Sequence, residues 1–205
     1  MDKLKIFLNV NKRVMVFLIG ILIIGVIFGS CLPIFLSTSD KSLVTQYLSD
    51  FVCSINNDFN FISFFKNSII NNSLSLIIIW IVGISIVGAP IALFMFFFKC
   101  FIMGFSISSI IINYGFKGIL FSFAYVFPHN VIDLCIYCLI TSYSLIFSIK
   151  FFFYIIKKYD FNIRNSFNKY LKIFFFCFII LILSVLYESF LAPYILQFIL
   201  KLLGI

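Results

Sequence analysis

His129 is the only histidine of this sequence, and it stands in Pro128-His129-Asn130-Val131-Ile132-Asp133, between a helix-interrupting proline and a carboxylate one helical turn away. At that spacing an imidazole and a carboxylate can share a hydrogen bond or pass a proton. Asn130 suits the cap of a helix restarting after the proline, with Asp133 at a capping-box position near the positive end of the helix dipole. Lys99 and Glu188 raise the same question, because both stand alone in apolar runs. An ionised side chain at a bilayer centre costs about 2.5–3.5 kcal/mol on insertion scales, so each needs a partner or a wet route. Two readings stay open: these groups satisfy a break in a helix, or they form a proton or ion site. A metal site is disfavoured, since Cys135 and Cys138 project roughly opposite to His129 and Asp133 at ~100° per residue. No HExxH, GxSxG, Walker-type loop or acidic dyad is present, so neither enzyme activity nor a cofactor is expected.

The elements that must hold these groups are apolar. Hydrophobic residues make up 63% of the 205, and between Asn67 and Ile149 the formal charges are Lys99, Lys117 and Asp133. That composition describes one membrane domain, 1–205, embedded in the lipid bilayer. The net charge of +8 comes largely from Lys3, Lys5, Lys12 and Arg13 and from a segment carrying Lys150, Lys157, Lys158, Arg164, Lys169 and Lys172. Both clusters flank apolar runs, which marks them as cytoplasmic by the positive-inside rule and argues against nucleic acid as a partner. The six cysteines are scattered and form no disulfide framework.

Hydropathy and turn residues predict an all-α polytopic bundle of about five spans. Residues 14–36 read as an uncleaved first span, and Gly25 and Gly29 have the GxxxG spacing that admits a second helix closely. An outer segment, 37–66, carries Leu43, Val44, Tyr47, Leu48, Phe51, Val52 and Ile55 at helical spacing. This is an amphipathic helix that lies on the membrane surface, docks a partner through residues such as Val44, Phe51 and Ile55, or does both. Gly88-Ala89-Pro90 divides the next apolar stretch into spans 67–87 and 90–114. Residues 118–149 are too long for one straight span and too short for two, which predicts a helix broken at 128–130. A cytoplasmic basic segment, 150–172, leads to a last span, 173–191, with Glu188 near its outer end and Pro193 terminating it.

Several stretches carry a resemblance, in order. They are Phe65-Lys66-Asn67-Ser68-Ile69; Trp80-Ile81-Val82-Gly83-Ile84-Ser85-Ile86-Val87-Gly88-Ala89-Pro90; Phe98 to Phe105; Lys117 to Phe123; and Tyr187-Glu188-Ser189-Phe190-Leu191-Ala192-Pro193. With its W-x-x-G-x-S-x-x-G-x-P pattern, the chain resembles the stage II sporulation protein M family over almost its whole length. At Pro128-His129 it departs from the spore-former pattern, where Gln commonly follows the proline. The resemblance implies a non-enzymatic protein of the mother-cell membrane at the sporulation septum. There it would anchor two cell-wall hydrolases, stage II sporulation proteins D and P, which remodel peptidoglycan during engulfment. Single-span partners of that kind would pack against small-residue faces such as Gly25/Gly29 or Gly83/Gly88. A transporter or permease subunit using Lys99, His129 and Asp133 as a polar path is the rival reading.

Overall fold

The computed structural model describes residues 2–56, 60–156 and 163–203. Positions 57–59 of the expected outer segment and 157–162 of the basic segment, with Lys157 and Lys158, lie outside the described residues. Among the described residues the chain forms α1 (Asp2–Phe35), α2 (Thr38–Asn56), α3 (Phe61–Val82), α4 (Gly88–Phe121), α5 (Phe127–Ile155), α6 (Ile163–Leu186) and α7 (Ala192–Leu203). Two π-helical turns, Ser122–Val126 and Tyr187–Leu191, link α4 to α5 and α6 to α7. Five segments are long and apolar enough to cross a membrane: Lys12–Phe35, Phe61–Val82, Gly88–Phe121, Phe127–Ile155 and Ile163–Ile199. The all-α polytopic bundle read from hydropathy is therefore the fold observed.

Side-chain contacts set the directions of the helices. Gly25 faces Phe97 and Cys100, Gly29 faces Phe101 and Phe105, and Ser108 Oγ donates to Ser30 O at 2.7 Å, so α1 and α4 run parallel. Tyr137 OH donates to Asn72 O at 3.0 Å, Gly83 abuts Ser144, and Ser148 Oγ donates to Ser85 O at 3.2 Å, so α3 and α5 run parallel. Asp133 meets Ser184 while Phe147 stacks on Tyr170, ring centroids 5.4 Å apart, so α5 and α6 are antiparallel. Odd and even crossings thus alternate in direction, as a chain threading a membrane five times requires.

The Gly-Pro punctuation acts through two turns. α3 begins at an Asn60 cap that accepts the Ser63 N–H at 3.1 Å, and it gives way at Gly83 to a run of short-range turns. A side chain at Gly88 would collide with Val82 O, and Pro90 sits in the first turn of α4, where its missing N–H costs nothing. Farther on, Gly115 (φ 57°, ψ −134°) occupies a conformation that side-chain-bearing residues avoid. The chain reverses there, bringing Gly118 against Ile110 O, 2.5 Å from an added Cβ.

The break expected at 128–130 is not found. α5 runs unbroken through Pro128, His129 and Asn130, and the irregularity lies one turn earlier, where the Phe127 N–H donates to Ser122 O five residues back. Pro193 likewise does not end the last span; it follows a second wide turn, in which Ala192 N–H donates to Tyr187 O, and the helix continues as α7. Both corrections have one cause. A proline ring clashes with the carbonyl four residues back in a regular α-helix, and a π turn placed just before the proline moves that carbonyl aside.

α5 is the central helix. In an 18-residue apolar stretch of its crossing segment 67% of the residues are buried inside the protein, against 11–28% for the corresponding stretches of the other four. His129, Asp133, Thr141, Ser142, Ser144 and Ser148 are buried along it, where protein rather than lipid surrounds them.

Candidate functional site

Both π turns lie at one level of the bundle, because the α5/α6 register that pairs Asp133 with Ser184 also sets 122–129 beside 188–195. His129, Asn130 and Asp133 from α5 meet Glu188 from the second π turn, Asn72 from α3 and Lys99 from α4 around a cavity of about 150 Å³. The hydrogen bonds there assign the imidazole's state. His129 Nδ1 lies 2.9 Å from Tyr125 O, which can only accept, so Nδ1 carries the proton. Asn130 Nδ2 donates to Val126 O at 2.8 Å and to His129 Nε2 at 3.0 Å, so Nε2 accepts and the ring is neutral. Glu188 Oε1 stands 3.7 Å from Nε2, beyond hydrogen-bond length, with Ser68 of α3 approaching its carboxylate.

The other charges are held separately. Lys99 Nζ donates to Asn72 Oδ1 at 3.1 Å and lies 4.9 Å from the centroid of the Tyr137 ring, a cation–π contact. Asp133 Oδ1 accepts from Ser184 Oγ at 2.7 Å. Lys99 and Asp133 therefore share a compartment, and each feels the other's charge. The expected His129–Asp133 hydrogen bond is replaced by the Tyr125 and Ser184 contacts. Asn130 caps nothing, because the helix it was expected to restart never stops.

At His129, Asn130 and Glu188 this compartment meets a larger cavity of about 520 Å³, lined by α2 on one side and by Phe105, Ser109, Phe121 and Tyr125 on the other. α2 is pinned near its middle by Thr45 Oγ1 donating to Asn113 Oδ1 at 2.6 Å and at its C-terminal end by Gln197 Nε2 donating to Ile55 O at 2.6 Å. This corrects the docking face assigned to α2. Ile55 is 1% exposed in a cluster with Phe121, Ala192 and Leu196, and half-buried Val44 and Phe51 line the cavity. The apolar stripe is turned inward by the end of the bundle it covers, leaving Leu43 (63%) and Tyr47 (74%) exposed.

Gly83, Gly88 and Pro90 lie away from the site and serve packing. Trp80 packs on Phe174 and Tyr170 at 4.8 and 6.0 Å, Gly83 admits Ser144 and Tyr170, Ser85 O receives Ser148, and Gly88 and Pro90 turn the chain into α4. The small-residue faces expected to take partner spans are filled from within: Gly25 and Gly29 by α4, and Gly83 by α5 and α6. Asn72, Tyr137, Ser184 and Ser109 belong to the site and escaped the sequence reading. Asn72 had a signal, as an amide in an uncharged span that needs a partner as a charge does.

Fold and site together define a polytopic membrane protein with a polar compartment between its helices. The family model for stage II sporulation protein M matches residues 7–193, and the chain belongs to that family. No curated protein and no solved structure matches it.

Proposed function

We propose that this protein is a non-catalytic scaffold of the sporulation septum, holding peptidoglycan hydrolases of the stage II sporulation protein D and P kind in place during engulfment. The observation that carries the reading is the family match across 7–193, which takes in nearly the whole bundle. The structure supports it in one further respect: the motif from Trp80 to Pro90 builds helix packing and lines none of the polar compartment. Since the inward stripe of α2 faces the bundle's own cavity and the glycine faces are filled by neighbouring helices, the apolar surface left for a partner on that helix is the exposed pair Leu43 and Tyr47 at the cavity's rim. Changing both to aspartate leaves this protein in the membrane, within about 0.5 kcal/mol of its stability for such exposed sites. It releases a fluorescent hydrolase from the septum. A hydrolase that stays at the septum in cells lacking this protein overturns the scaffold. The transporter reading then takes its place, favoured by the chain of cavities from α2 to Lys99.

A further inference from the structure

Counted by residue type, the compartment holds two acids, Asp133 and Glu188, against the single amine of Lys99, which is engaged by Asn72 and Tyr137, while His129 is held neutral by Tyr125 O and Asn130. Asp133 has the Ser184 hydroxyl and Glu188 has Ser68, and Glu188 also faces the lone-pair side of His129 Nε2 at 3.7 Å, where the two cavities meet. In the wall of the larger cavity Ser109 is 3% exposed, its Oγ packed away from the open space. Most of the remaining wall is aromatic or aliphatic, from Leu48, Phe51, Phe105, Phe121 and Tyr125. The volume of about 520 Å³ falls within the usual range for small-molecule sites.

We propose that the cavity beneath α2 binds a primary alkylammonium ion, its charged end at Glu188 and its aliphatic stem along the Phe51, Phe105 and Phe121 wall. The polarity runs the right way for that chemistry: carboxylate at the deep end, apolar surface toward α2, with Tyr125 offering its ring to the ammonium. An anion meets the carboxyl end of the cavity, and a neutral alcohol brings no charge to Glu188. Leu43 and Tyr47, proposed to meet a partner, stand at the rim of this cavity, while Glu188 at its deep end lies apart from them, so Glu188→Gln tests the amine site without altering that pair.

The test is thermal unfolding of the purified full chain in maltoside micelles with n-hexylammonium, n-hexanol or hexanoate. Hexylammonium raises the transition temperature with half-saturation at least tenfold below that of hexanol, and Glu188→Gln brings the two together. Ser109→Leu, which fills the cavity without touching the charges, removes the response to both and keeps the proposal testable where Glu188→Gln fails to accumulate. Hexanol matching hexylammonium, hexanoate exceeding it, or a Ser109→Leu protein that still responds overturns the proposal. With the amine response in hand, retention of phosphatidylethanolamine over phosphatidylcholine during purification, lost in Glu188→Gln, assigns the ammonium to a lipid head group. Equal retention assigns it to a free amine.

Discussion

The two ends of the helix bundle are packed in opposite ways. At one end the rings of Trp80, Phe147, Phe167, Tyr170 and Phe174 pack at centroid distances of 4.8–6.4 Å, Tyr170 OH donates to Trp80 O at 2.9 Å, and Gly83 lets α5 approach until no side chain would fit between. At the other end two prolines force two π turns, and the helices they widen stand around connected cavities of about 520 and 150 Å³. Helices α3, α5 and α6 contribute to both ends. In lipid, helix association rests on close packing and interhelical hydrogen bonds, since apolar surface gains nothing by leaving lipid tails. The closed end therefore holds the bundle, which leaves the open end free to be hollow and polar.

The sharpest way to break this contrast is to fill the closed end. Gly83→Leu places a side chain where Ser144 and Tyr170 already stand, and membrane accumulation measured by quantitative immunoblot falls to a small fraction of the parent. Near-parental accumulation would mean that α3 and α5 do not need to touch there. Truncation compares the ends directly. Trp80→Ala costs about 3 kcal/mol in detergent-titrated unfolding, the low end for a tryptophan because Trp80 is half-buried. Phe51→Ala costs about 1 kcal/mol, because its ring lines space that is already empty. Equal losses would show that the open end bears load too. The smallest effect concerns Lys99 and Asp133. Lys99→Met leaves Asp133 and Glu188 without their shared amine, Asp133→Asn leaves Lys99 with Glu188, and the double change removes the direct Lys99–Asp133 attraction. A double-mutant cycle in accumulation or unfolding should give a coupling of about 1 kcal/mol, and strict additivity would show that the two charges are served by separate partners.

The legible part of this molecule followed from local rules. Asn67 to Ile149 announced its spans by lacking charge, and Gly88-Ala89-Pro90 marked the region in which α3 yields to α4 because glycine and proline constrain the backbone whatever surrounds them. The stripe on α2 announced an amphipathic helix, which is present. Its partner was not legible: periodicity shows that one face must be covered, and lipid, protein and the chain's own bundle all satisfy that demand equally well. Pro128 and Pro193 misled for a related reason, since a proline requires only that the carbonyl four residues back move away, and a break and a π turn both achieve this.

What the sequence determined by itself, then, is an α-helical polytopic chain with its basic segments and isolated polar residues, because the cost of bare backbone and bare charge in lipid is the same in any arrangement. Tertiary structure alone decided that α5 lies at the centre, that His129 bonds to Tyr125 and Asn130 rather than Asp133, and that Lys99, Asp133 and Glu188 share one compartment. Those outcomes depend on which helix faces meet, and that was set by glycine contacts such as Gly29 on Phe101 and Gly83 on Ser144, between residues distant in the chain.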